Sequence, residues 1–273
     1  MNVAIIGCGY VGTAVARLWQ QQGLNVTATT TTPERLPELN AVVQRAIVLK
    51  GDDAKTLQAE LNNQQVLFLS VGAPNAQAYE FTYLTTARTL ASILPHCPHL
   101  RQLIYTSSYA LYGNQQGQWV DETLPLAPAS RNAEILAESE QILLNAASEH
   151  LRVCIFRLAG IYGPGRELVK IFRRIANTTQ PGDGNNPSNW VHLDDIVGAV
   201  EFARQMRLEG IYNLVNDRPL PRRELIQRVC DRNNLPPVTW DSTQPSRRPY
   251  NAKVSNQKLK QAGYRFIHPE IVI

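Results

Sequence analysis

The chain has 273 residues, 44% of them hydrophobic and 18% charged, and its net charge of +4 divides into −4 over residues 1–150 and +8 over residues 151–273. That size and balance provide a sizeable core and exclude a disordered chain, and no run reaches the roughly 18 apolar residues of a membrane span. The basic second half either attracts a small anionic substrate or forms solvated helix faces, and its basic residues come in scattered pairs (Arg173-Arg174, Arg222-Arg223, Arg247-Arg248), which argues against nucleic acid.

Residues 3–6 form a short apolar run that predicts a strand. It leads into Gly7-Cys8-Gly9-Tyr10-Val11-Gly12, and residues 10–22 carry a helical pattern ended by Gly23. G-x-G-x-x-G between a strand and a helix is a dinucleotide-binding arrangement. Gly7 permits the turn, Gly9 lets the backbone approach a pyrophosphate, and Gly12 lets helix and strand pack closely. The first-turn N–H groups, at Tyr10 and Val11, and the positive helix end then face the phosphates.

Residues 24–30 read as the second strand, followed by a short helical segment over 33–39. Its entry is Thr29-Thr30-Thr31-Thr32-Pro33-Glu34-Arg35. An acid at the strand tip would hold the ribose 2′-OH of NAD; here Thr30 offers a hydroxyl and Arg35 a cation, which favours NADP over NAD. A third strand over 46–50 ends at Gly51-Asp52-Asp53, where either aspartate can cap the helix running to Leu61. Residues 65–71 form the fourth strand, with Val71 and Gly72 at its exit. A helix over 79–94 is closed by Pro95 and Pro98, and residues 103–107 form the fifth strand. Continuous apolar strands alternating with helices predict a Rossmann-type, doubly wound parallel sheet. Its ligands sit at the carboxyl ends of the strands, which adds Asp52, Val71 and Gly72 to the cofactor set.

A helix over 133–148 and a strand over 152–157 continue the pattern. After Gly163-Pro164-Gly165 the signal is broken. Residues 180–189 form a turn-rich loop, either a substrate lid or a connector. Helices are expected over 194–206 and 221–233. The expected organisation is a dinucleotide-binding domain over 1–163 and a small α/β subdomain over 164–273, not independent of it. Some later segments are free to return to the main sheet. Cys8, Cys97, Cys154 and Cys230 are far apart, so they read as reduced packing residues of a cytoplasmic protein, and no metal ligand is assigned. The N-terminus enters a strand directly, so no signal peptide is expected.

Together these segments resemble an extended short-chain dehydrogenase/reductase of the NAD-dependent epimerase/dehydratase group. The resemblance is carried, in order, by the glycine turn, by Tyr105-Thr106-Ser107-Ser108-Tyr109-Ala110-Leu111-Tyr112-Gly113, and by Asp121-Glu122. It continues through Arg157-Leu158-Ala159-Gly160-Ile161-Tyr162-Gly163-Pro164-Gly165 and Trp190-Val191-His192-Leu193-Asp194-Asp195. It implies hydride transfer with a Ser/Tyr/Lys set, in which a cation lowers the pKa of a phenol normally near about 10. Ser108 matches the serine. The Tyr-x-x-x-Lys positions hold Asn132 and Leu136, and the Asn of many sugar-nucleotide members is Gly160. These departures resemble the atypical branch that lacks the active-site tyrosine.

Ser108 and Tyr112 are therefore the expected catalytic residues, with Tyr109, Tyr162, Arg166 and His192 on the substrate side. The expected function is an NAD(P)-binding oxidoreductase or epimerase-like enzyme with a non-standard acid/base. The alternative is a catalytically silent NADP-binding sensor or scaffold. The resemblance implies a dimer through the helices over 79–94 and 133–148. Arg88, Glu134, Glu138 and Glu140 make those helices polar in places, so monomer and homodimer both stand.

Overall fold

Apolar strands alternate with half-buried helices from the first residue of the computed structural model, which describes Met1–Ile273. The first half runs β1 (Asn2–Ile6), α1 (Tyr10–Gln21), β2 (Asn25–Thr30), α2 (Leu36–Asn40), β3 (Arg45–Val48) and α3 (Ala54–Leu61). It continues with β4 (Val66–Leu69), α4 (Thr86–Ile93), β5 (Gln102–Ser108) and β6 (Asn114–Val120). Next come α5 (Arg131–Asn145), β7 (Arg152–Leu158), β8 (Gly160–Tyr162), α6 (Leu168–Phe172), β9 (Thr179–Pro181), β10 (Pro187–Ser188) and β11 (Trp190–His192). The last elements are α7 (Leu193–Met206), β12 (Gly210–Leu214), β13 (Leu220–Pro221), α8 (Arg222–Arg232), β14 (Thr239–Asp241), β15 (Asn251–Val254) and α9 (Gln257–Gln261).

Seven strands form one parallel sheet in the order β12-β7-β5-β4-β1-β2-β3. β1 to β3 step one way and β4 onward the other, so the strand order reverses between β1 and β4. That reversal opens the ligand crevice of a doubly wound fold at the end of β1. β1 is buried on both faces, which is why Val-Ala-Ile-Ile shows no polar alternation. On α1, Val11, Val15 and Trp19 recur every four residues and are buried. Fully buried Trp19 donates its indole N–H to Glu201 on α7 at 2.9 Å, and Arg204 closes on the same carboxylate at 2.7 Å.

The chain divides into two units. The first is Met1–Ser107, Arg131–Arg157 and Val197–Tyr212; the second is Ser108–Ser130, Leu158–Ile196 and Asn213–Ile273. The boundary expected after residue 163, with later segments free to return to the main sheet, differs from this division at residues 108–130. Residues 108–130 join the second unit, and residues 197–212 return to the first because α7 covers Trp19. The second unit is assembled from paired short strands: β8 with β11, β9 with β14 and β6 with β15 in parallel, and β10 with β13 antiparallel. Its apolar cluster includes Tyr162, Phe172, Leu225, Ile226 and Val229.

Three stretches depart from the sequence expectation. The helix over 79–94 opens as a π-turn over Glu80–Thr85 before α4 and ends as a 3₁₀ turn over Leu94–His96. α4 also lies against Gly51, where an added Cβ would stand 1.9 Å from Thr86 Oγ1. β6 has no strand signal in the sequence because NQQGQWV is polar and turns at Gln116 and Gly117, both at positive φ. Pairing with β15 alone makes it a strand. The loop over 180–189 contains the end of β9 and all of β10, and Gly184 packs so closely on Trp240 that a Cβ would come within 2.8 Å of the ring. It is a pinned connector. No helix is long and apolar enough to cross a membrane.

Candidate functional site

Gly7, Gly9 and Gly12 have three different surroundings. Gly7 sits at φ +84° and lies against the exit of β4, where a Cβ would stand 2.7 Å from Ser70 O and 2.8 Å from Val71 Cα. Gly12 faces the turn itself, 2.7 Å from Gly7 O by the same measure. Gly9 has nothing within 4 Å, and neither has Gly72 at the β4 exit. The turn is therefore tight underneath and open above. It is fixed to the end of β2, since Cys8 N–H donates to Thr29 O at 2.8 Å and Gly7 N–H to Thr29 Oγ1 at 3.1 Å. α1 starts from Gly9 with no side-chain cap and no acid in its first turn. The first N–H groups of a helix lack intrahelical acceptors, so this end suits an anion.

Arg35 lies across this turn. Its guanidinium donates to Cys8 O and to Thr13 Oγ1 (3.2 Å), and Glu38 holds its other edge at 3.3 Å. Thr30 uses its hydroxyl to accept Thr32 N–H at 3.1 Å. Glu34, the only acid nearby besides Glu38, is exposed on the turn Pro33–Arg35. Asp52 is exposed in the turn after β3, while Asp53 caps α3 by accepting Thr56 N–H at 3.0 Å. Nothing in the sequence singles out Thr13, whose hydroxyl accepts from Arg35, 22 residues further on.

α5 carries Asn132, half-buried, and Leu136, buried, at the Tyr-x-x-x-Lys positions. One turn further, Glu140 forms a bidentate pair with Arg157 at the end of β7, with contacts of 2.7 and 3.2 Å and both side chains almost fully buried. Burial, and then the charge of Glu140, push the Tyr105 phenol well above its ordinary range. α4 and α5 lie side by side, tied by Arg88 to Glu138 at 2.6 Å.

In the second unit, Ser108 accepts Ala110 N–H at 3.2 Å and caps the turn Tyr109–Tyr112. Tyr112 does not suit the catalytic role expected of it. It is fully buried and donates its hydroxyl to Asn213 Oδ1 at 2.8 Å, so it holds the turn in place. Tyr162 is likewise buried, its oxygen accepting Val272 N–H at 3.0 Å, and burial raises its pKa. Arg166 is exposed in a turn closed on Gly163. His192 lies edge-on to Tyr162 at 5.0 Å, with Asp194 Oδ2 3.2 Å from its Nδ1; burial and then His268 lower its pKa.

The sequence motifs give no hint of the group around Tyr109. Arg248 stacks its guanidinium 4.7 Å from the centre of the Tyr250 ring and donates to the Tyr109 hydroxyl at 3.3 Å. The two tyrosine rings meet edge to face at 5.1 Å. Burial opposes ionisation of Tyr250, but the charge and hydrogen bond of Arg248 outweigh it and hold the phenol below its ordinary range. Tyr109 moves the opposite way, raised by burial and then by Tyr250. Arg222 lies over Trp240 at 5.2 Å. A pair of arginines close in sequence gives only a charge signal; that one of them faces two phenols is a tertiary fact.

Gly160 pairs with Trp190 across β8 and β11, and a Cβ would meet the indole at 2.9 Å. That contact explains why asparagine is absent. Gly160→Asn is expected to destabilise the protein by about 1–3 kcal/mol through overpacking. Urea denaturation checks it; a change under about 0.5 kcal/mol overturns the steric account.

Residues 3–214 match the family described as NAD dependent epimerase/dehydratase. Protein YeeZ of Escherichia coli strain K12 is 32% identical over 223 residues, covering 78% of this chain and 77% of that protein. Among solved structures, the Thermus thermophilus UDP-glucose 4-epimerase complex with NAD superposes with a TM-score of 0.80 at 20% identity, covering 100% of this chain and 95% of that one. The human epimerase family protein SDR39U1 with NADPH gives 0.79 at 18% identity, covering 99% and 96%. At those identities the two structures speak for the fold alone, while the family match spans most of the chain. The chain belongs to the NAD dependent epimerase/dehydratase family.

Proposed function

We propose that this protein binds NADP(H) in preference to NAD(H) and acts as an oxidoreductase or epimerase-like enzyme on a small anionic substrate. The carrying observation is the glycine turn, crowded beneath Gly7 and Gly12 and open above Gly9, with Arg35 laid across it. Gly7, Gly9, Tyr10, Val11 and Gly12 would hold the pyrophosphate. Thr30 and Arg35 would take the adenosine ribose and its 2′-phosphate, and Asp52, Val71 and Gly72 would border the same strand ends. The nicotinamide supplies hydride chemistry when bound.

Within the second unit, Ser108 would position a substrate oxygen and Tyr250 would exchange a proton, with Arg248 as the cation that favours its phenolate. Arg248 and Arg222 attract an anionic substrate. All four cysteines are free and buried, which supports a reducing, cytoplasmic setting.

Two measurements test this. Titrating the purified protein with NADPH and NADH should show tighter NADPH binding, and Arg35→Ala should weaken NADPH by about tenfold, or about 1.4 kcal/mol, leaving NADH unchanged. Tighter NADH binding in the unaltered protein would sink the preference. NADPH turnover over a panel of carbonyl and imine substrates should fall about 100-fold in Tyr250→Phe with NADPH affinity unchanged. Nucleotide binding without turnover of any panel member favours the silent sensor instead.

A further inference from the structure

At the start of α7, three side chains of the second unit converge outside the residues proposed for catalysis. They are His192 at the end of β11, Asp194 in the first turn of α7 and His268 near the C-terminus. One ligand atom from each lies within 4.8 Å of the other two. Asp194 Oδ2 is 3.2 Å from His192 Nδ1 and 3.0 Å from His268 Nε2. The imidazole rings are 4.0 Å apart.

His192 Nδ1 lies 3.2 Å from Asp194 Oδ2, and His268 Nε2 lies 3.0 Å from the same oxygen, so one carboxylate oxygen stands between two imidazole nitrogens. Metal–ligand bonds of about 2.0–2.2 Å place neighbouring donor atoms about 3.0 Å apart in octahedral and about 3.4 Å apart in tetrahedral coordination. The two measured separations, 3.0 and 3.2 Å, fall in that range.

The surroundings hold the three residues in place. Asp195, fully buried, accepts Ile267 N–H at 2.6 Å and His268 N–H at 3.0 Å, and Tyr264 donates to its carbonyl at 2.9 Å. Pro269 O accepts Asp217 N–H at 2.8 Å, so the backbone is fastened on both sides of His268. His192 is set by the β8–β11 pairing and by the Tyr162 ring. Supporting groups of this kind preorganise metal ligands. Asp194 is half exposed, which leaves room for water to complete the shell.

From this geometry we propose a transition-metal site, His192–Asp194–His268 with water, that takes Zn²⁺ or a similar first-row divalent cation. Imidazole nitrogens select such metals over Mg²⁺ or Ca²⁺, and two imidazoles with one carboxylate is a known open zinc set. Occupied, the site clips the C-terminal segment to the start of α7. It lies within one unit and stands independently of the cofactor reading.

The test uses the full chain without an affinity tag, stripped of metal by chelation. Calorimetric titration with Zn²⁺ should show one site per chain, and Co²⁺ should give a visible d–d band that Zn²⁺ displaces. His268→Gln and Asp194→Asn should each weaken Zn²⁺ by about tenfold or more. Their metal-free melting temperatures, measured alongside, show whether each variant remains folded. Zn²⁺ should slow amide exchange over residues 264–273 in the unaltered protein and leave it unchanged in His268→Gln. Absence of stoichiometric binding overturns the proposal. So does unchanged affinity in folded His268→Gln, or a thiolate charge-transfer band showing cysteine ligation.

Discussion

Gly9→Ala is expected to remove most dinucleotide binding while the protein stays folded. Gly9 is the N-cap of α1, with φ −84° and ψ −145°. A methyl group there meets no protein atom within 4 Å. Loss of stability should therefore stay under about 1 kcal/mol, the size of a cap effect. The same methyl stands where a pyrophosphate must approach the backbone, so NADPH affinity should fall about 100-fold or more, about 2.7 kcal/mol. Gly12→Ala makes the contrast, because its Cβ would stand 2.7 Å from Gly7 O and force α1 away from β1. That variant should lose binding and stability together. Fluorescence titration with NADPH beside thermal melts separates the two cases. Unchanged NADPH affinity in a folded Gly9→Ala protein would leave the open turn without its proposed ligand.

The second large effect concerns the buried pair of Glu140 and Arg157. Their side chains are 2% and 3% exposed and share three contacts of 2.7–3.2 Å. Removing one partner leaves a charge in a low-dielectric interior, which costs about 3–5 kcal/mol. Arg157→Met and Glu140→Leu should each show that loss in urea denaturation. The double replacement should recover a large part of it, since an apolar pair of similar volume carries no desolvation penalty. A single-variant loss under about 1 kcal/mol overturns this account. Arg157 stands at the head of a segment recognised by its family resemblance. Its contact with Glu140, which lies 17 residues earlier, gives that arginine a structural role, because the pair fixes α5 to β7.

Much of the first unit is legible in the sequence because its signals are local. Val3 to Ile6 is apolar throughout since a central parallel strand is buried on both faces. The three glycines of the turn each answer a backbone requirement that a side chain would violate or obstruct. Arg35 stands out by its place after β2, and its guanidinium lies across the turn. The second unit is far less legible. Tyr112 and Tyr162 match motifs, yet both are buried and engaged by Asn213 and Val272 respectively. Tyr250, Arg248 and His268 sit in stretches whose order in the chain says nothing about what they face. β6 is too polar, and the other short strands of this unit have too few residues, for periodicity to register; each exists because a distant segment supplies its hydrogen bonds.

Residue identity and local pattern are enough to specify the parallel sheet and the glycine turn. These follow from periodicity, from glycine's freedom and from the residues themselves, none of which needs a distant partner. Packing of distant segments is what puts Tyr112 in the core, sets Arg248 against both Tyr109 and Tyr250, and brings His192, Asp194 and His268 together. Burial and electrostatic neighbourhood are properties of the folded arrangement, set by residues tens to more than a hundred positions apart.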